Sequence, residues 1–224
     1  MMPKRKVVIF DLDDTLFKEV DYLTSAYREI ADEIEARFGI PHLLEEMLTY
    51  WQEGRNVFDT IIGKYGLPLT VEALLKRYRE HVPTLQLDAD TSRILEALRK
   101  TCVLGMITDG RSVTQRNKIT SLGLDAFFGP DDILISEETG QSKVSPEPFL
   151  WFMEKYPESI YYYIGDNPQK DFICPNQLGW QTICLKDDGR NIHAQDFSLA
   201  KAYLPSRVLD RMQDVGLFLL LRWI

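Results

Sequence analysis

The sequence is poor in cysteine and in histidine, with 3 of each among 224 residues. Its thiols, Cys102, Cys174 and Cys184, form no C-x-x-C pair, which argues against a disulfide framework or a sulfur-rich zinc site. Cys102 and Cys184 lie in apolar, strand-like contexts, as buried reduced thiols of a cytoplasmic protein do. Long apolar runs are missing too. The apolar tail at residues 216–221 is far short of the ~20 residues that cross a bilayer, and it predicts a buried terminal segment. At the other end, Lys4, Arg5 and Lys6 lead into only four apolar residues before Asp11, which is no signal peptide. Positive charge is the minority: 26 Lys and Arg face 34 Asp and Glu, for a net charge of -8. That field repels a nucleic acid backbone. It does not exclude a small phosphorylated metabolite, because a bound divalent cation reverses the field locally.

What is present is an ordinary globular composition, 45% hydrophobic and 27% charged. The length suits one large domain, or one domain with an insertion. Continuous apolar runs of strand length recur at residues 7–10, 102–107, 133–135, 160–164 and 181–185, and most end abruptly in acid. Runs without polar alternation predict strands covered on both faces, as in a parallel sheet. Between them lie helical patterns. Residues 90–100 place Ile94, Leu95 and Leu98 on one face with Asp90 as the cap; Pro146 opens another helix carrying Phe149, Leu150 and Met153 inward. This alternation predicts an α/β fold, a doubly wound parallel sheet. Residues 18–87 break it. They show helical periodicity only, enough for about four helices, one of them capped by Thr70. The expected division is therefore a core of residues 1–17 and 88–224 with a small helical domain inserted at 18–87.

The working residues of such a sheet gather beyond the carboxyl ends of its strands, and acids fall there. Asp11, Asp13 and Asp14, with Thr15 behind, follow the first run; Asp166 follows the fourth, with Asp171 five residues on. Magnesium takes hard oxygen ligands of this kind. Each group alone is an ordinary turn or helix cap. Together they can make one cation site. Thr108-Asp109-Gly110, after the second run, offers a hydroxyl and turn amides to a phosphate, and Lys143 offers a cation on a loop entering a helix.

In this order, Asp11-Leu12-Asp13-Asp14-Thr15, Thr108-Asp109-Gly110, Lys143 and Gly165-Asp166-Asn167-Pro168-Gln169-Lys170-Asp171 resemble the four-motif signature of the haloacid dehalogenase superfamily. The likeness spans residues 7–185, and the helical insert looks like the C1-type cap of subfamily I, phosphatase branch. The resemblance implies a magnesium-dependent phosphatase. Asp11 would be the nucleophile, forming an aspartyl-phosphate. Asp13 would protonate the leaving alcohol and then activate water, its carbonyl meeting the metal with the carboxylates of Asp11 and Asp166. Thr108, Asp109 and Gly110 would hold the phosphoryl group, Lys143 would neutralise it, and Asp171 and Thr15 would support the shell. A second Asp at position 13 is the pattern of phosphoryl transfer; the dehalogenase branch lacks it and needs no metal. One departure stands out: relatives often show Lys-Pro, whereas Lys143 is followed by Val144-Ser145-Pro146.

These roles suit the chemistry. A carboxylate attacks a dianionic phosphate poorly because like charges repel, and a divalent ion with a lysine offsets that repulsion. The expected enzyme is a monomer or weak homodimer acting on a sugar phosphate, a nucleoside monophosphate or phosphoglycolate. A phosphomutase with the same nucleophile and a catalytically retired binding module are the alternatives. Tyr22, Trp51, Arg55 and Arg111 are candidate substrate contacts, though such residues more often serve as core or as solvated charge.

Overall fold

Five parallel strands occupy the five apolar runs in the computed structural model, which describes residues 4–221. They are β1 (Lys6–Phe10), β2 (Cys102–Thr108), β3 (Ile133–Ile135), β4 (Ile160–Gly165) and β5 (Gln181–Leu185). A sixth, β6 (Arg207–Leu209), adds to the far edge. The order is β3-β2-β1-β4-β5-β6 and every pairing is parallel. The chain leaves β1 for β2 on one side and returns to β4 on the other. The crevice beyond the ends of β1 and β4 is therefore the topological switch point where such folds bind ligands.

β1 is buried along its whole length because helices cover both faces of the sheet. Its alternate residues separate cleanly. Val7 and Ile9 pack with Phe149 and Phe152 of α8 (Glu147–Lys155). Val8 and Phe10 pack with Leu95 and Leu98 of α5 (Ala89–Leu98), Ile119 of α6 (Ser112–Ser121), and Val215 and Leu219 of α10 (Met212–Leu221). α8 lies so close to the sheet that a Cβ on Gly105 would sit 2.6 Å from the Phe152 ring, which makes that position glycine-dependent. Two short helices, α7 (Ser136–Thr139) and α9 (Ile173–Gln177), complete the layers.

The insert holds four helices: α1 (Glu19–Phe38), α2 (Leu43–Gln52), α3 (Val57–Tyr65) and α4 (Val71–Glu80). They bury a cluster of their own that includes Ile30, Ile34, Met47, Phe58, Ile61 and Leu74. Thr70 caps α4 as expected, accepting from the Ala73 amide at 3.2 Å. Among the described residues no helix is long and apolar enough to cross a membrane.

Three local expectations need correction. The cap of α5 is Asp88, not Asp90. Its carboxylate accepts from the amides of Asp90 and Thr91, both at 3.0 Å, while Asp90 already lies in the first turn. In α8 Phe149 and Met153 do pack inward, joined by the buried Phe152, but Leu150, one step round the helix, is exposed. The tail is buried on one face only, because α10 lies on the sheet through Val215 and Leu219 while Leu217 and Leu221 face outward.

Candidate active site

The backbone puts the acids together. The amide of Asp11 donates to the carbonyl of Ile164 at 2.8 Å, so the β1–β4 ladder runs one residue past the strand and fixes the Asp11 carboxylate at the sheet's carboxyl edge. Asp166 stands directly beyond β4. Asp171 folds back beneath it, accepting from the amides of Asp166 and Asn167 at 3.1 and 2.8 Å through one oxygen. Gly165 leaves the room: a Cβ there would lie 2.5 Å from that same oxygen. One oxygen each of Asp11, Asp166 and Asp171 then lie within 4.8 Å of one another.

Lys143 enters from the opposite side. It is 1% exposed, and its ammonium forms ion pairs with Asp11 and with Asp171, the latter at 3.0 Å. Asp109 holds its loop by accepting from the Lys143 amide at 3.1 Å. The intervening Val144-Ser145 therefore does not displace the lysine; it adds one turn of loop before α8.

Electrostatics mark the cluster as short of positive charge. Burial, then Asp11 and Asp171, push the Asp166 carboxyl up to about 9. Burial raises Asp11 to about 7, against the pull of Lys143. Burial also works against the charge on Lys143, but Asp11 and Asp171 outweigh it and hold that pKa well above the ordinary lysine value. One buried ammonium, with a weaker pull on Asp11 from Lys170, thus faces three buried carboxyls. Hard oxygen donors this close, and this poorly compensated, fit a divalent cation. Asp171 is spent on Lys143 and two amides, so Asp11 and Asp166 are the side chains of this cluster that could hold the ion, with Asp171 behind them.

Asp11, Asp13, Asp109, Lys143 and Asp166 all line one cavity of about 180 Å³. The other expected residues do not reach its wall. Thr108 is buried, its hydroxyl accepting from the side-chain amide of Gln115 at 2.6 Å. The Gly110 amide donates to the Ser136 hydroxyl at 2.9 Å. The Thr15 hydroxyl is buried without a hydrogen-bond partner among the described residues. Nor do the four candidate contacts line it: the Tyr22 hydroxyl donates to the Tyr78 carbonyl, Trp51 packs on the cluster of the insert, Arg55 lies over Tyr50, and Arg111 pairs with Glu137.

Glu19, Lys170 and His193 line the cavity. From α6, Lys118 and Gln115 reach Asp13 at 2.7 and 2.9 Å. From the loop after β5, Asn191 donates to Asp166 at 3.0 Å and Gln195 to its carbonyl at 2.7 Å. Asp14 ties the insert down: in a left-handed conformation (φ 55°), it accepts from the amides of Glu19, at the start of α1, and of Ile192.

With this geometry in hand, comparison with known proteins is specific. The model of the haloacid dehalogenase-like hydrolase family matches residues 8–185. The glyceraldehyde 3-phosphate phosphatase of Methanocaldococcus jannaschii is 28% identical over 210 residues, covering 86% of this chain and 90% of its own. That of Methanopyrus kandleri is 31% identical over 207 residues, covering 81% and 84%. The HAD-hydrolase YfnB of Bacillus subtilis, solved bound to magnesium, superposes with a TM-score of 0.69 at 20% identity, covering 97% of this chain and 99% of that one. At that identity the likeness speaks to the fold alone.

Proposed function

The chain belongs to the haloacid dehalogenase-like hydrolase family, and on that premise we propose that it hydrolyses a small sugar phosphate of the triose class, with Asp11 as nucleophile. The observation that carries this reading is the juxtaposition of Asp11 with Asp166 and Asp171, from two adjacent strand ends, against the buried ammonium of Lys143. In the first step an Asp11 oxygen attacks phosphorus, the ester bond breaks, and the leaving oxygen takes a proton from Asp13. In the second, Asp13 takes a proton from water, whose oxygen attacks phosphorus and returns the electron pair to Asp11. Lys143 keeps Asp11 fixed and offsets the charge of the incoming phosphate. A magnesium ion held by Asp11 and Asp166 would supply the remaining positive charge and align attacker with phosphorus.

Substrate size follows from the cavity. About 180 Å³ is small beside the ~300–1,000 Å³ of drug-sized sites. No Phe, Tyr or Trp among the described residues lines it, so a nucleobase finds no ring to stack on. The relatives named glyceraldehyde 3-phosphate phosphatase support the same choice. The four-helix insert serves as a cap over residues 18–87, shielding the intermediate from bulk water.

The test is release of inorganic phosphate from glyceraldehyde 3-phosphate with magnesium and with EDTA. Release that requires the ion supports the reading. Formation of an isomer in place of phosphate would identify a mutase, and a folded protein inert toward every phosphate ester would identify a binding module.

A further inference from the structure

Asp13 is held by residues that none of the motifs contain. One carboxylate oxygen pairs with Lys118 at 2.7 Å, and the other accepts from the side-chain amide of Gln115 at 2.9 Å. Both come from successive turns of α6. Lys118 is 2% exposed, does not line the cavity, and is roofed by the rings of Tyr22 and Phe17, whose centroids lie 4.6 and 5.7 Å from its nitrogen. Its only other carboxylate among the described residues is Glu19, at 3.5 Å. Burying an ammonium is costly unless good partners compensate it. Here the partners are a working residue of the core and the first turn of the insert.

We propose that Lys118, aided by Gln115, is the positioning residue that aims Asp13 for the water-activating step. The inference rests on Asp13 acting as general base, and it goes beyond that reading by assigning its orientation. Two donors, one on each oxygen, fix the orientation of the carboxylate that the second step uses. In that step a water proton passes to Asp13, the water oxygen bonds to phosphorus, and the phosphorus–Asp11 bond breaks with its electron pair returning to Asp11. The first step, on an ester with a good leaving group, needs no proton from Asp13. Loss of Lys118 should therefore slow breakdown of the intermediate and spare its formation. The same Gln115 nitrogen also donates to Thr108, so α6 fixes two motif residues at once.

The experiment uses p-nitrophenyl phosphate with the magnesium-loaded full chain, following p-nitrophenolate in stopped flow. Lys118→Met should lower kcat by about 10–100-fold and shift kcat/KM by less than about threefold, with a burst near one p-nitrophenolate per active site. Lys118→Arg should restore most of kcat. A parallel fall of kcat and kcat/KM without a burst, or no change in either, overturns the inference. If Lys118→Met does not fold, Gln115→Ala is read by the same criteria. Asp13→Asn separates the two levels. If it bursts while the folded variant at 118 or 115 does not, the positioning role fails alone; if it neither bursts nor slows, the general-base reading fails with it.

Discussion

A Cβ on Gly165 would lie 2.5 Å from the carboxylate of Asp171, and that carboxylate is fixed by two backbone amides. It cannot yield as the end of a flexible surface chain would. Gly165→Ala should push Asp171 off Lys143 and off both amides, losing charge-assisted hydrogen bonds. The expected cost is about 2–4 kcal/mol in urea unfolding, with turnover lost in parallel. Unchanged stability and activity would show that the loop after β4 relaxes freely.

Among the described residues Lys143 is the one ammonium paired with both Asp11 and Asp171. Lys143→Met should leave two buried carboxylates uncompensated, which costs about 3–5 kcal/mol in breaking such a pair. Turnover should vanish. Magnesium should recover part of the stability and none of the rate, measurable by melting curves with and without the ion.

Raised carboxyl pKa values give a pH signature. Asp11 at about 7 and Asp166 at about 9 stand above their ordinary value of 3.8. An acid raised on folding stabilises the fold while protonated; that contribution is full below about pH 4 and is lost as pH rises through those folded values. In EDTA the melting temperature should therefore fall between about pH 5 and pH 9. Magnesium should flatten or reverse the slope, because it binds the deprotonated groups. Identical slopes with and without the ion would count against a cation at this site.

Much of this was legible in the sequence, for a physical reason. Strands buried on both faces read as unbroken apolar runs, so five were found. β6, at an edge and mostly exposed, is Arg-Val-Leu and gives no such signal. The acids at the strand ends were found because an unpaired carboxyl there is costly. Lys118 and Gln115 were not, because the buried side of α6 is polar: Thr114, Gln115 and Lys118 face inward with only Ile119 among them. Apolar periodicity cannot mark a face whose partner is a charged site. Thr108 and Gly110, the residues expected at the phosphate, are held by Gln115 and Ser136, contacts that no sequence spacing announces.

Glu19 lines the cavity and shares Lys118 with Asp13, the residue proposed to protonate the leaving group. Burial, then Asp13, raises its carboxyl to about 7, so above that pH its charge should repel acidic leaving groups. Glyceraldehyde 3-phosphate should exceed phosphoglycolate in kcat/KM by about tenfold or more, and Glu19→Gln should narrow the gap. Equal values for both esters in the unmodified enzyme would remove Glu19 from selectivity.

The most direct measurement is rapid acid quench of a single turnover, followed by mass spectrometry of the peptide that contains Asp11. A transient phosphoryl group on Asp11, rising and decaying at rates compatible with kcat and absent in Asp11→Asn, is the expected result. Phosphate released with Asp11 unmodified at every time, and an Asp11→Asn variant that still turns over, would contradict the assignment of Asp11 as nucleophile.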